Sequence, residues 1–172
     1  TKIELAALST HHNGNLGGIA GADAKCQAEA TSNGKSGNWK AFLSASGYNV
    51  KEMIPSNMRD LPVYALGGNQ MFSNWNDIFD GSHTWSNSGH TGGMMPTFNG
   101  QVVDEGYGFT NDADAWTGTK TDGNVLSGET CNDWTSTSHQ GSGTEADARQ
   151  MLLQETGRGC GTQYAVFCVQ VN

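Results

Sequence analysis

Two glycine-rich stretches of the chain carry histidine, aromatic and acidic side chains, which have the most varied binding chemistry. In the first stretch, His83, Trp85 and His90 follow Asp80. Imidazole nitrogens can ligate zinc, but a zinc site needs three or four ligands that converge and are held by further hydrogen bonds. The spacing shows only that these residues are near one another in sequence, so it predicts no metal site.

The second stretch is acidic. Tyr107 and Phe109 precede Asp112 and Asp114, and Asp122 follows in a later Asp-Gly loop. Ca²⁺ prefers carboxylate and carbonyl oxygens, so Asp112, Asp114 and Asp122 are the candidate ligands of a structural calcium ion. The spacing lacks the pattern of an EF-hand loop. A solvated acidic loop is therefore the default interpretation, and no cofactor is predicted.

Several aromatic rings in these stretches have amide, hydroxyl and imidazole neighbours. Such surroundings suit the stacking of a sugar ring or contact with a protein partner, although packing on the domain's own surface is equally compatible with the sequence. The candidate ligand-binding residues are therefore His83, Trp85, His90, Tyr107, Phe109, Asp112 and Asp114.

The sequence contains no motif for a nucleophile elbow, a phosphate-binding loop or a zinc protease. The carboxylates are numerous, but they lie in loops without an apolar pocket pattern, which argues against a glycosidase. If the cysteines form disulfides, the thiolate that a cysteine nucleophile needs is also missing. The chain is therefore predicted not to be an enzyme.

Composition and charge exclude several classes of partner. The 172 residues fit one domain, residues 1–172, and 15% of them are charged where about 25% is usual. The net charge is −8 with nine basic residues, so the basic surface that neutralises nucleic-acid phosphates is missing. No apolar run approaches the about 20 residues of a membrane helix, so no membrane insertion is predicted. No signal peptide follows Thr1, as expected of a mature form or an excised domain.

Cys26, Cys131, Cys160 and Cys168 form an even set without the Cys-x-x-Cys spacing of zinc or redox sites. Their even number in a loop-rich chain favours two disulfides, and therefore an extracellular or cell-surface location reached through an oxidising compartment. Three pairings are open to them, and spacing does not choose among the three.

Short elements must position all of these residues. Strands are predicted over four segments, of which the last is almost continuously apolar and therefore central: 2–8, 38–44, 61–66 and 163–171. Helices are predicted over 21–29, with Cys26 on the inner face, over 74–79, with Ser73 as the cap, and over 144–153.

The remaining segments are turns and loops. Asn99-Gly100 is predicted to turn a hairpin over 97–103, because both residues tolerate positive φ. Cys131 is predicted to lie on a short strand. Long loops over 80–96, 104–114 and 119–128 complete an α+β domain.

Several motifs occur in an order that resembles one known family. They are Gly21-Ala22-Asp23-Ala24-Lys25-Cys26, Phe72-Ser73-Asn74-Trp75-Asn76-Asp77, Phe98-Asn99-Gly100, Trp116-Thr117-Gly118, Cys131-Asn132-Asp133-Trp134-Thr135 and Tyr164-Ala165-Val166-Phe167-Cys168-Val169. Over nearly the whole chain, this order resembles endostatin, the C-terminal domain of collagens XV and XVIII. It is similar also to the bacterial extracellular relatives called the leptospiral endostatin-like family.

The resemblance implies a C-type-lectin-like fold: a short twisted mixed sheet with two or three helices, long loops and two disulfides. It implies nested pairing of Cys26 with Cys168 and of Cys131 with Cys160. It also implies that Trp75, Trp116 and Trp134 lie mostly in the core.

The chain also departs from the family pattern. The zinc site of endostatin uses N-terminal histidines and one aspartate, and these positions correspond to Glu4 and Gly68 here. Endostatin's affinity for heparin rests on surface arginines, whereas the arginines of this chain are Arg59, Arg149 and Arg158. Neither zinc binding nor heparin binding is therefore predicted from the resemblance.

Loops that vary at little cost to stability can form a binding face on a disulfide-held frame. We therefore predict a non-enzymatic extracellular recognition or adhesion module that binds a cell-surface or matrix glycan or protein through its long loops, as the bacterial surface relatives imply. The alternative is a structural assembly module without an outside ligand. The Asn/Thr/Gly-rich composition is typical of a fibre-tip domain, which admits a homotrimer.

Overall fold

The computed structural model describes five stretches of the chain: residues 2–68, 70–80, 95–101, 114–145 and 156–172. Within them the elements are β1 (Ile3–Ala7), α1 (Gly18–Ser32), β2 (Trp39–Ala41), β3 (Val63–Ala65), β4 (Gln70–Phe72), β5 (Asp114–Trp116), α2 (Cys131–Trp134), β6 (Gln140–Glu145), β7 (Thr156–Gly159) and β8 (Ala165–Gln170). Short 3-10 helices lie at Val50–Glu52, Ser56–Met58 and Asn76–Phe79. The class is α+β, as predicted.

The last strand, β8, is the centre of a mixed sheet. β1 runs antiparallel along one edge of β8, with Ala6 opposite Cys168. Along the other edge lie first β2, antiparallel with Ala41 opposite Cys168, and then β5, parallel with Trp116 opposite Val166. β3 and β4 continue the sheet beyond β1, and β6 and β7 continue it beyond β5. The predicted central position of the last strand is therefore confirmed.

Both faces of the sheet are covered, which explains why β8 is apolar at almost every position. Phe167 and Val169 enter one core, while Val166 and Cys168 enter the other. The first core also takes Ile3, Leu5, Phe42, Ile54, Phe72, Trp75 and Ile78, and the second takes Leu8, Leu16, Cys26, Trp39, Leu43, Phe98, Trp116 and Trp134. The predicted core positions of the three implied tryptophans are confirmed.

Four tryptophans of the described stretches are almost completely buried, and each satisfies its indole N–H with a backbone carbonyl. An unpaired donor in these places would cost about 1–3 kcal/mol. The bonds run from Trp39 to Ser36, from Trp75 to Lys51, from Trp116 to His12 and from Trp134 to Ser44, at 2.7 to 2.9 Å.

Two disulfides close the frame. Cys26 of α1 is bonded to Cys168 of β8, and Cys131 is bonded to Cys160. These are the pairs that the resemblance implies. The inner bond is tightly enclosed, because a β-carbon at Gly14 or Gly141 would lie 2.3 or 2.6 Å from the sulfur of Cys131.

The start of α1 differs from the prediction. The helix begins at Gly18 rather than residue 21, and the Asp23 carboxylate does not serve a helix N-terminus. Instead, Asp23 Oδ1 accepts a hydrogen bond of 2.9 Å from the backbone N–H of Ala41 in β2. Asp23 therefore attaches the helix to the sheet.

The predicted helix at 74–79 is a single 3-10 turn, and Ser73 does not cap it. The side chain of Asn74 accepts from the N–H of Asp77, and the Asp77 carboxylate accepts from the N–H of Ser73. The predicted shared face is correct, because Trp75 and Ile78 are buried and the Trp75 and Phe79 rings lie 5.4 Å apart.

Two further predictions about secondary structure are contradicted, the first of them only at residues 144–145. The predicted helix at 144–153 starts inside β6, where Gly143 pairs with both β5 and β7; this pairing outweighs local helix propensity. Residues 146–155 lie outside the described stretches. Cys131 lies in the short helix α2 and not on a strand.

The turn at Asn99-Gly100 has a different form from the one expected. Gly100 adopts φ 85°, whereas Asn99 does not adopt positive φ. Thr97 accepts a bond from Gly100 N–H and donates one to the carbonyl of Gln101, as in a type I turn followed by one left-handed residue. The second half of the predicted hairpin, residues 102–103, lies outside the described part of the chain.

Candidate functional site

Most of the predicted ligand-binding residues fall outside the described stretches. Residues 81–94 contain three of them and residues 102–113 contain three more: His83, Trp85, His90, Tyr107, Phe109 and Asp112. Asp114 is described through its backbone, which opens β5 opposite Glu145. The binding role of these seven residues stays a prediction.

The segment between the two ranges and the segment after the second range are fixed to the middle of the sheet. Ala7 of β1 donates its N–H to the carbonyl of Pro96 and accepts from the N–H of Phe98. The Phe98 ring is buried against Trp39, with ring centroids 4.9 Å apart. On the far side of 102–113, Ala115 of β5 lies opposite Ala165 of β8. The segment between the two ranges is therefore attached to β1 and the second range ends at β5, while the first range begins just after the 3-10 helix Asn76–Phe79.

Asp122 is the calcium candidate whose side chain is described. Its two carboxylate oxygens accept from the backbone N–H and the side-chain amide of Asn124, at 3.0 and 2.8 Å. These bonds hold the pKa of Asp122 below its ordinary value. No three His, Cys, Asp or Glu side chains in the described stretches are placed to share a metal ion. Asp122 thus stabilises its own turn, and a calcium site shared with Asp112 and Asp114 stays a prediction.

A cleft of about 630 Å³ lies where the segment after β1 crosses the exposed face of α1. We call it the α1 cleft. Most of its lining residues have polar side chains, although most of the surface that they expose to the cleft is apolar. They come from three parts of the chain: Leu8, Ser9, Thr10 and His12; Lys25, Ala28, Glu29, Ser32 and Asn33; and Asn99. Sequence reasoning missed this cleft, because nothing local indicates that the turn at Asn99 meets α1.

Hydrogen bonds fix the walls of the α1 cleft. Glu29 Oε1 accepts from the backbone N–H of Ser9 at 2.8 Å, which ties the segment after β1 to the helix. Ser32 Oγ and Asn33 Nδ2 both donate to the carbonyl of Glu29, at 2.9 Å each. Asn99 Oδ1 accepts from Thr97 Oγ1 at 2.6 Å. The polar groups that face the cleft are therefore held in place without a ligand.

His12 forms the inner end of the cleft. Its backbone exchanges two hydrogen bonds with Tyr164, at 2.8 and 2.9 Å, and its carbonyl accepts the indole N–H of Trp116. His11 and His12 are both half-buried. Burial lowers the pKa of His12 below 6.5, and the charge of Lys25 lowers it further, so the imidazole is mainly neutral at pH 7.

Lys25 supplies the positive charge of the cleft. It is half-buried on α1, one helical turn before Glu29. Its ammonium group makes no ion pair with any described carboxylate, in contrast to Lys2, which lies 2.8 Å from Glu4. A partly desolvated ammonium that makes no ion pair can bind an anionic partner.

A second unusual feature is the backbone of α2. Its four residues, Cys131 to Trp134, have φ between 52° and 63°, so the element is one left-handed helical turn. Left-handed backbone costs roughly 1–2 kcal/mol for each L-residue. The inner disulfide and the buried Trp134 indole hold the two ends of this turn.

Asp133 secures the middle of the left-handed turn. Its Oδ1 accepts from the N–H of Ser46 at 2.9 Å, from Ser46 Oγ at 3.0 Å and from Thr130 Oγ1 at 3.1 Å. The bond from the Ser46 backbone, followed by the hydroxyl bonds, lowers the pKa of Asp133 below its ordinary value. The carboxylate thus connects the turn to the segment after β2.

The geometry defines a class of protein. A mixed sheet is closed by two disulfides, the first helix is bonded to the central strand, and two long connections leave and rejoin this frame. This is a disulfide-closed C-type-lectin-like domain.

Comparison with known proteins gives the family. The family model described as "Collagenase NC10 and Endostatin" matches residues 3–172, and the chain belongs to this endostatin family. The collagen alpha-1(XVIII) chain of Homo sapiens is 24% identical over 170 residues, which is 98% of this chain. The chain spans 10% of the length of that collagen.

Family membership supports a non-enzymatic module, and the two disulfides fit an oxidising compartment. None of the helices in the described stretches has the length and apolar character needed to span a bilayer.

Proposed function

We propose that this chain is an extracellular recognition module that binds a cell-surface or matrix glycan or protein, with adhesion as its role. The observation that carries the proposal is that the chain returns to the middle of the sheet after residues 81–94, at β1, and after residues 102–113, at β5. Phe98 and Ala115, which follow these two ranges, are both buried next to the centre of the sheet.

A rigid frame of this kind lowers the cost of binding. Cys168 of β8 is covalently bonded to α1, and the β1 edge of the sheet is hydrogen-bonded to residues 96–98. Because the frame is already ordered, less conformational entropy is lost when a partner binds. This pre-organisation contributes to affinity. The aromatic residues Trp85, Tyr107 and Phe109 are of the types enriched at recognition surfaces.

The test combines a glycan array, a panel of immobilised matrix proteins and the three single variants Trp85→Ala, Tyr107→Ala and Phe109→Ala. At least one ligand should bind the native chain, and at least one variant should lower affinity about tenfold, as loss of an interfacial aromatic does. Tyr64→Ala, an aromatic of β3 outside both ranges, is the matched control and should bind normally.

Self-association is measured on the same samples by analytical ultracentrifugation. A chain that binds nothing on either panel but forms a concentration-dependent trimer would replace the recognition proposal with the assembly alternative. Equal affinity of the native chain and all three aromatic variants would show that binding does not use these ranges.

A further inference from the structure

The α1 cleft contains the ammonium group of Lys25, which has no ion pair with a described residue, the carboxylate of Glu29, which already accepts a hydrogen bond, and several neutral polar groups. We propose that it is a binding site for an acidic sugar, with the ammonium group of Lys25 pairing with a single ligand carboxylate and the neighbouring polar side chains binding its hydroxyls. This inference rests on the proposed recognition function, because it names the chemistry of one ligand contact.

The charged side chains of the cleft favour a ligand that carries a carboxylate. The titratable side chains that line it are Lys25, Glu29 and His12. Lys25 makes no ion pair with a described residue, whereas Glu29 already accepts the N–H of Ser9 through Oε1. His12 is mainly neutral near pH 7 and contributes hydrogen bonds rather than charge. Lys25 is therefore the charged group whose hydrogen-bond donors are not taken up by a described residue, while Glu29 keeps its negative charge one helical turn away.

The same charged groups argue against a polyanionic ligand. One lysine lines the cleft, Glu29 lies beside it, and the whole chain carries a net charge of −8. A densely charged polymer would meet repulsion from the surrounding surface over a Debye length of about 8–10 Å. A ligand with one carboxylate gains the contact with Lys25 while avoiding most of that repulsion.

The remaining lining favours a ligand rich in hydroxyl groups. Ser9, Thr10 and Ser32 supply hydroxyls, and Asn33 and Asn99 supply amides. Such groups both donate and accept hydrogen bonds, as sugar hydroxyls do. Apolar atoms, among them those of Leu8 and Ala28, make up most of the exposed lining and suit the carbon face of a ring. The volume of about 630 Å³ lies within the range of small-ligand pockets.

Replacing Glu29 tests the proposal, because the charge of the ligand decides whether the affinity rises or falls. Glu29→Gln keeps an oxygen that can accept the N–H of Ser9, so the wall of the cleft should persist while one negative charge is removed. If the ligand is anionic, this variant binds it more tightly. If the ligand is neutral or cationic, the variant binds it equally or more weakly.

The experiment is a titration of the full, oxidised chain with glucuronic acid and with N-acetylneuraminic acid, followed by amide NMR shifts. Glucose is the neutral control. We expect at least one of the acids to bind with a Kd of about 1 mM, to shift amides of residues 8–12 and 25–33, and to bind much more weakly to Lys25→Gln, by about tenfold or more. Glu29→Gln should raise the affinity several-fold.

Lys35→Gln is the matched control. It removes the same charge from a half-buried lysine beyond the end of α1 that does not line the cleft, so it should bind like the native chain. The proposal is overturned if neither acid binds at about 10 mM, if glucose binds as well as the acids, or if Lys25→Gln and Lys35→Gln behave alike.

Failure of this inference can be separated from failure of the proposed function. Equal binding of the native chain and Lys25→Gln to a ligand from the arrays would leave the recognition module standing and remove the α1 cleft from it. Binding of an acidic sugar to the cleft, with no ligand found on either panel, would leave the cleft standing and remove the adhesion role.

Discussion

Asn132 occupies a backbone conformation that few residues tolerate. Its φ is 53° and ψ is 58°, its side chain is exposed, and its amide reaches the hydroxyl of Thr135 at 3.1 Å. Asparagine enters the left-handed region more readily than other L-residues with a β-carbon, and glycine enters it without penalty. The residue type at this position is therefore set by the backbone.

A pair of variants isolates that backbone effect. Asn132→Ala and Asn132→Gly both lose the contact with Thr135, so the difference between them reports φ alone. We expect Asn132→Gly to be more stable than Asn132→Ala by about 1 kcal/mol in urea unfolding. Equal stability of the two variants would contradict a left-handed turn in solution.

Asp133 should give the stability of the domain a dependence on acid. Because its pKa is lower in the folded chain than in the unfolded chain, its contribution is present above the unfolded value of about 3.8 and is lost as pH falls through the lower folded value. Asp133→Asn should therefore flatten the fall in the free energy of unfolding below about pH 4. Asp60→Asn removes the same charge from an exposed side chain and should leave that fall in place.

At the scale of the element, α1 is attached to the sheet by both a covalent bond and a hydrogen bond. The covalent bond is from Cys26 to Cys168, and the hydrogen bond is from the N–H of Ala41 to Asp23 Oδ1. Burial raises the pKa of Asp23, while the bond from Ala41 and the charge of Lys40 partly oppose the rise. The carboxylate thus serves as an acceptor in a place that disfavours its charge.

Two substitutions separate these effects. Asp23→Asn keeps the acceptor and removes the buried charge, so stability at pH 7 should be unchanged or higher. Asp23→Ala leaves the N–H of Ala41 without its acceptor and should lower the free energy of unfolding by about 1–3 kcal/mol. A clearly lower stability for Asp23→Asn than for the native chain would show that the charge itself stabilises the contact.

The elements predicted best from the sequence are strands that are buried on both faces of the sheet and are therefore apolar along their length. The continuous apolar run at 163–171 and the aliphatic run at 2–8 correspond to β8 and β1, because both strands are covered on both faces. The helix predicted at 144–153 was wrong in its first residues. There, pairing of Gly143 across β5 and β7 decides the structure, and such long-range pairing leaves no local pattern.

The candidate site shows the same limit. The sequence identified rings and carboxylates in long loops, and composition alone was enough for that. It did not identify the α1 cleft, because Lys25 and Asn99 are far apart in the chain and meet only through the bonds of residues 96–98 to β1. A contact of this kind follows from sheet topology and not from spacing.

At the scale of the whole molecule, the two disulfides should contribute unequally. Cys26 and Cys168 are separated by 142 residues, and Cys131 and Cys160 by 29. In the chain-entropy model the longer loop contributes about 5 kcal/mol and the shorter roughly 4 kcal/mol. Alanine replacement of both cysteines of the outer pair should therefore lower the urea midpoint more than the same replacement of the inner pair.

The control for this comparison is thiol labelling of the unsubstituted chain after denaturation. It should detect no free cysteine. A larger loss from the inner pair would mean that release of the left-handed turn at Cys131 outweighs the difference in loop length.

The position of β8 constrains when the domain can fold. Residues 165–170 pair with β1, β2 and β5, so the centre of the sheet is supplied by the last segment of the domain to leave the ribosome. Until then, β1 and β2 lack their common neighbour, and Cys26 lacks its partner. Assembly of this sheet must therefore wait until β8 has left the ribosome.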